Sequence, residues 1–138
     1  MKNTKEIENE IVTLIRQSEF ANDLEILLNS FYYFTDEIEF PGVYVYSENQ
    51  SYYLISVGDR GNVGEKEEYT DADSLIKEIL WGLESSLSAK LARGMKGNSF
   101  RKTMFAKRIE ISRTIGEVYS KDAEDRISYI FKESPYEE

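Results

Sequence analysis

The sequence predicts an α+β fold in which a small antiparallel β-meander is flanked by N-terminal and C-terminal α-helices. Residues 43–46 alternate Val-Tyr-Val-Tyr, and residues 52–57 are rich in aromatic and β-branched side chains, with a polar run at 47–50 between them. Such alternation around a short polar turn is typical of a β-hairpin. Apolar side chains at helical spacing then predict a long helix across the sheet: Ile76, Leu80, Leu83, Leu87 and Leu91.

The residues before the hairpin predict two helices and an aromatic connection. Asn3 or Thr4 suits the N-cap of a first helix that ends near Gln17, and residues 20–31 have the spacing of a second helix. The stretch 31–40 is both aromatic and acidic. Because aromatic side chains are rarely left in water together, we expect this stretch to pack over the sheet or to form the rim of a binding site.

The residues after the hairpin predict an edge strand and three helices. The glycine-rich run 58–64 suits a reversal that needs positive φ, and a polar strand is expected over 65–69. Thr70 has an acid three residues on, as in a capping box, and is expected to cap the long helix. Two further helices are predicted over 100–119, with Val118 on its apolar stripe, and over 123–132.

Composition limits the function classes. The 138 residues suit one domain over 1–138. Cysteine and histidine are both absent, which excludes disulfides, thiolate zinc sites, cysteine nucleophiles and the Ser-His-Asp triad. We therefore expect a protein that is not an enzyme and has no cofactor, with a carboxylate- or metal-dependent hydrolase as the remaining enzymatic alternative. With no long apolar run and no signal-peptide pattern, a cytoplasmic location is expected.

The charge is divided unevenly along the chain. Residues 1–78 contain 17 acids and 6 bases, whereas residues 79–138 contain 9 acids and 11 bases. A net charge of −9 argues against nucleic acid as a ligand and favours a basic protein partner. The basic stretch 90–113 is interpreted as an intramolecular match to the acidic half, or as a solvated face, in preference to a nucleic-acid site.

Several acidic residues are candidates for binding a basic partner; a solvated face and, with less support, a metal site are the alternatives. They are Asp36, Glu37, Glu39, Glu65, Glu67 and Glu68. Asp59 and Arg60 lie in a predicted turn, where they either face a partner or contact each other.

Three aromatic residues complete the candidate partner-binding set. Tyr44 and Tyr46 are expected to serve as exposed apolar anchors. Trp81 lies off the apolar stripe of its helix, so it either packs against the C-terminal helices or anchors a partner.

Several short motifs follow one another along residues 27–138. They are the strand 41–46, the aromatic strand 51–55, the turn 59–61, the acidic helix start 69–76, and the segments Arg101-Lys102 with Phe105 and 130–138. Their order and spacing resemble those of the bacterial immunity protein 63 family. The family consists of immunity proteins of polymorphic toxin systems.

The resemblance implies that the chain binds the toxic C-terminal domain of a cognate toxin, with no catalytic residues to carry over. Many such toxins are nucleases with basic clefts, which an acidic inhibitor can occupy as a phosphate mimic. A monomer or weak homodimer with no nucleic-acid or membrane partner is expected. The alternative is a small-molecule or peptide sensor whose aromatic stretch lines a pocket.

Overall fold

A computed structural model of the chain describes residues 1–134. Within them, two helices precede four strands and three helices follow. Their bounds, in chain order, are α1 Thr4–Arg16, α2 Ala21–Phe31, β1 Tyr32–Tyr33, β2 Gly42–Glu48, β3 Ser51–Val57, β4 Val63–Tyr69, α3 Ala72–Leu91, α4 Gly97–Ile115 and α5 Glu117–Glu133. The α+β class is confirmed. The last part of the family-like ending, 135–138, lies outside the described residues.

The sheet is mixed, so the prediction of a purely antiparallel meander is wrong. Its strands lie in the order β1-β2-β3-β4, and the predicted hairpin of β2 with β3 is confirmed, as is the antiparallel pairing of β3 with β4. β1 runs parallel to β2, with Tyr32 opposite Val43 and Tyr33 opposite Tyr44. A strand of two residues is too short to show period-2 alternation, which is why the sequence did not reveal it.

Helices cover the inner face of the sheet. Val45 and Leu54 point from β2 and β3 into a core that α1, α2, α3 and α4 share. Helices precede and follow the sheet in sequence, as expected, but most of the helical residues follow it, in α3, α4 and α5. α3 contributes the predicted stripe, but Leu91 at its end is 45% exposed.

Two helix boundaries differ from the predictions. α3 is capped by Asp71 instead of Thr70, because the Asp71 carboxylate accepts hydrogen bonds from the backbone nitrogen (2.7 Å) and hydroxyl (3.0 Å) of Ser74. The backbone hydrogen bond from Ser74 also lowers the pKa of Asp71. The boundary between the last two helices lies at Gly116, in extended backbone, so Val118 belongs to α5 and is 61% exposed.

The outer face of the sheet carries a second, smaller cluster of tyrosine and aliphatic side chains: Tyr44, Tyr46, Ile55 and Val57, with Tyr33 and Tyr53 packed against them. β4 forms one edge of the sheet and contains an extra residue relative to β3, since Ile55 pairs with Lys66 but Val57 pairs with Val63. Gly64 fits this irregularity, because an added Cβ would lie 3.0 Å from the carbonyl oxygen of Ser56. The candidate site lies on this outer face, at the end of the sheet where β3 ends at Val57.

Candidate partner-binding site

Residues 34–41, here called the acidic segment, connect β1 to β2 and are fixed to the outer face of the sheet by Tyr44. The Tyr44 hydroxyl accepts hydrogen bonds from the backbone nitrogens of Glu39 (3.2 Å) and Phe40 (2.8 Å) and donates one to the carbonyl oxygen of Phe40 (2.7 Å). The Tyr33 ring stacks on Tyr44, with centroids 5.0 Å apart. The expected packing of this stretch over the sheet is thus present.

Tyr44 and Tyr46 do not offer the exposed surface that was predicted for apolar anchors. Tyr44 is 1% exposed and Tyr46 is 8% exposed. The ammonium of Lys66 lies 4.1 Å from the ring centroid of Tyr53 and 5.7 Å from that of Tyr46, so it covers both rings from β4. A hydrogen bond with Tyr46 raises the pKa of Lys66. Both tyrosines lie on the outer face, where Lys66 covers the ring of Tyr46 and the acidic segment covers Tyr44.

The turn between β3 and β4 presents Asp59 and Arg60 to solvent. The backbone nitrogen of Gly58 donates to the carbonyl oxygen of Asn62, and that of Gly61 donates to Gly58, each at 3.0 Å. Gly61 has φ +75°, which confirms the predicted need for glycine here. Within residues 1–134, Asp59 and Arg60 form no ion pair with each other or with another residue, so the contact between them that was expected is not made.

Two clefts meet at Asp59. The inner cleft, of about 450 Å³, lies between the helices α2 and α3 and the end of the sheet, and Phe31, Leu83 and Ser86 are among its lining residues. The outer cleft, of about 520 Å³, lies between the acidic segment and the β3–β4 turn. Both clefts are lined by Pro41, Val57 and Asp59, which form the ridge between them.

Large apolar side chains around these clefts are open to solvent. Phe31 is 53% exposed, Phe40 58% and Val63 60%, and Ile38 is 38% exposed. Phe40, Val63 and Ile38 line the outer cleft, and Phe31 lines the inner one. Neighbouring exposed apolar side chains beside concave surfaces are typical of binding sites.

The acidic candidate residues divide into two groups. Asp36, Glu37 and Glu39 are exposed on the acidic segment, and Glu39 joins Asp59 in the lining of the outer cleft. Glu65, Glu67 and Glu68 are exposed on β4 but line neither cleft.

Two of the β4 acids have partners within the sheet. Glu67 accepts a hydrogen bond from the Tyr69 hydroxyl at 2.6 Å, and burial together with this bond raises the pKa of Tyr69. Glu68 accepts a longer one, at 3.5 Å, from the Tyr53 hydroxyl. In the part of the chain that the structure describes, no group of three or more acids is arranged to hold a metal ion.

Trp81 packs against two arginines of the C-terminal helices. The guanidinium carbon of Arg108 lies 3.6 Å from the Trp81 ring centroid, and that of Arg126 lies 5.5 Å from it. Arg126 in turn donates to Glu78 at 2.6 Å and to Asp122 at 2.9 Å. The expected packing of Trp81 against these helices is present, and the residue lies apart from the clefts at Asp59.

Sequence reasoning missed a buried pair of charged residues beside Trp81. Glu84 is 2% exposed and Arg108 is 5% exposed. Burial raises the pKa of Glu84 to about 8, although Arg108 opposes the shift, and burial lowers the pKa of Arg108 to about 10. The Nε atom of Arg108 has no hydrogen-bond partner among the described residues. A signal was present, because Glu84 lies four residues after Leu80 and three before Leu87 on the apolar stripe.

Two residues of the basic stretch 90–113 form ion pairs, but not with acids of the N-terminal half. Lys107 pairs with Glu110 at 3.1 Å and Arg113 with Glu124 at 3.2 Å, both within the C-terminal half. The acids in these pairs come from the next turn of α4 and from α5, which are much closer in sequence to the two bases than the acidic segment is.

Comparisons of the chain with protein-family models, curated proteins and solved structures find no match. Among the described residues, no helix combines the length and the apolar character needed to cross a membrane.

Proposed function

We propose that this chain is an immunity protein, which binds and neutralises the toxic C-terminal domain of a cognate bacterial polymorphic toxin without catalysing a reaction. One observation carries the proposal: exposed apolar side chains line both clefts, Phe31 the inner one and Phe40 and Val63 the outer one, near carboxylates that form no ion pair within residues 1–134. An apolar centre with a polar rim is the usual anatomy of a protein–protein interface. The motif resemblance gives the class of partner.

The charge of the chain supports a basic partner. The net charge is −9, and Asp36, Glu37 and Asp59 are exposed and form no ion pair with another of the residues that the structure describes. Opposite charge would speed the encounter with a basic toxin cleft, while the apolar side chains would slow dissociation. A nuclease domain is the toxin class that fits best, since its substrate cleft is built for phosphate.

The remaining properties belong to the same proposal. An immunity protein of this kind acts in the cytoplasm of the producing cell, as a monomer or weak homodimer, and needs no cofactor. Its contact surface is the fixed acidic segment with the β3–β4 turn, and the pinning of the segment by Tyr44 reduces the ordering cost of binding.

A second candidate function is a sensor for a small molecule or peptide. The observation in its favour is the inner cleft, whose volume of about 450 Å³ lies in the range of ligand pockets. The cleft is lined by Tyr32, and burial raises the pKa of this residue to about 12. A hydrolase is the weaker alternative, since the described acids do not converge on a metal site.

The proposal expects a neighbouring gene to encode the toxin domain, and co-expression of the chain with that domain tests it. We expect a complex that survives purification, and loss of the toxin's activity in the presence of the chain. Phe40→Ala should weaken binding by about 2 kcal/mol, or roughly thirtyfold in Kd. Ile26→Ala is the matched control, because Ile26 is 63% exposed on α2 but lines neither cleft. A toxin domain that stays active and unbound would contradict the proposal.

A further inference from the structure

The arrangement at the sheet end is specific enough to name what the partner must present. Asp59 lies on the ridge between the inner and outer clefts, together with Pro41 and Val57. Its carboxylate is exposed and forms no ion pair or hydrogen bond with another side chain of residues 1–134. An unpaired acid on a ridge with apolar hollows on both sides is suited to hold one cation flanked by apolar groups.

We infer that Asp59 receives a single arginine of an extended partner segment whose apolar side chains enter the two clefts on either side. Arginine fits better than lysine, because a planar guanidinium binds a carboxylate through two hydrogen bonds and stacks on aromatic rings. Exposed rings are available on both sides of the ridge, Phe31 in the inner cleft and Phe40 in the outer one.

The spacing of the partner's side chains follows from strand geometry. In an extended chain, side chains two residues apart lie on the same face, and five residues span about 13 Å from first to last. The segment therefore has the pattern apolar–x–Arg–x–apolar, with the arginine on the ridge and one apolar side chain in each cleft.

This inference takes from the proposed function only that the partner is a protein. It is tested with the purified chain and synthetic peptides, without the toxin. The probe is a blocked peptide with the central sequence Leu-Ser-Arg-Ser-Leu, titrated into the ¹⁵N-labelled chain. We expect chemical-shift changes at the amides of Gly42, Val57 and Asp59. Two control peptides should bind at least tenfold more weakly: one with citrulline in place of arginine, and one with Leu and Ser exchanged.

Variants of the chain separate Asp59 from general acidity. Asp59→Asn should weaken binding of the peptide at least tenfold, whereas Asp23→Asn removes an equal charge from the exposed start of α2, outside both clefts, and should change it less than twofold. Ser86→Trp fills the inner cleft from the exposed surface of α3 and should also weaken binding at least tenfold.

Equal binding of the three peptides, equal effects of Asp59→Asn and Asp23→Asn, or no binding to the unaltered chain would overturn the inference. Failure of this inference and failure of the proposed function are distinguishable. Peptide binding at Asp59 by a chain that does not inhibit the toxin domain would contradict only the proposed function. Inhibition of the toxin by a chain that does not bind the peptide would contradict only the inference.

Discussion

The hydroxyl of Tyr44 lies 2.8 Å from the backbone nitrogen of Phe40 and 2.7 Å from its carbonyl oxygen. One side chain of the sheet therefore satisfies both backbone groups of a residue whose own ring is 58% exposed. The acidic segment keeps a defined shape although it lacks regular structure, and it presents its carboxylates and Phe40 together.

Replacement of Tyr44 by phenylalanine should loosen this segment. The backbone groups of Glu39 and Phe40 lose their partner, which should lower the free energy of unfolding by about 1–2 kcal/mol. Faster amide hydrogen exchange at Glu39 and Phe40 should accompany the loss. Tyr53→Phe is the control, because its hydroxyl makes only a 3.5 Å contact with exposed Glu68, and it should cost less than about 0.5 kcal/mol. Unchanged exchange at Phe40 in Tyr44→Phe would show that the hydroxyl does not hold the segment.

The free energy of unfolding should decrease as pH rises, because the folded chain keeps a proton on Glu84 over a pH range in which the unfolded chain has lost it. Burial raises the pKa of Glu84 to about 8 in the folded chain, from an ordinary value of 4.5. Arg108 on α4 and Arg126 on α5 oppose this shift, and Asp122 on α5 adds to it. Below pH 4.5 both states hold the proton, and above pH 8 neither does. Between these values only the folded state holds it, so the free energy of unfolding decreases by up to about 1.4 kcal/mol per pH unit.

Urea denaturation between about pH 5 and pH 9 measures this dependence, with fluorescence of the single tryptophan, Trp81, as the probe. Glu84→Gln imitates the protonated carboxyl and should lack this component. The stability of the unaltered chain relative to the variant should therefore decrease as pH rises. Parallel curves for the two proteins would mean that Glu84 does not titrate in this range.

Gly82 should not tolerate alanine, although alanine favours a helix by about 1 kcal/mol over glycine. An added Cβ would lie 2.6 Å from the Tyr32 hydroxyl oxygen, where one of the two groups must move. We expect Gly82→Ala to destabilise the chain by about 1–2 kcal/mol. The double variant Gly82→Ala with Tyr32→Phe should be at least as stable as the single variant Tyr32→Phe, because the hydroxyl that the new methyl group would meet is gone. If Gly82→Ala alone is stabilising, Tyr32 does not pack against α3 as described.

Local patterns predicted the parts of the fold that depend on neighbours in sequence. The hairpin of residues 43–57 was predicted because its alternation and its polar turn lie within fifteen residues. β1 was missed because two residues show no period. The end of α4 was misplaced because the apolar stripe runs past Gly116, where the backbone is extended.

The candidate site could be predicted only in part. Charge and aromatic content indicated the acidic segment, and turn chemistry indicated Asp59. The clefts could not be inferred, because they join α2, α3, the acidic segment and the β3–β4 turn, which are distant in sequence. The burial of Tyr44 depends on the irregular path by which the acidic segment folds back over its ring. The position of Glu84 on the apolar stripe of α3 was visible in the sequence, but its neighbour Arg108 belongs to a separate helix, α4.

The most direct test of the central claim is the rate of association with the purified toxin domain, measured by stopped flow from low to high salt. The triple variant Asp36→Asn, Glu37→Gln and Glu39→Gln should associate about tenfold more slowly at low salt and with a flatter salt dependence. Its thermal midpoint should stay nearly unchanged. Glu117→Gln, Glu124→Gln and Glu133→Gln together remove the same charge from α5 and should have a much smaller effect. If the first triple variant has the rate and the salt dependence of the unaltered chain, the acidic segment is only a solvated surface and does not face the toxin.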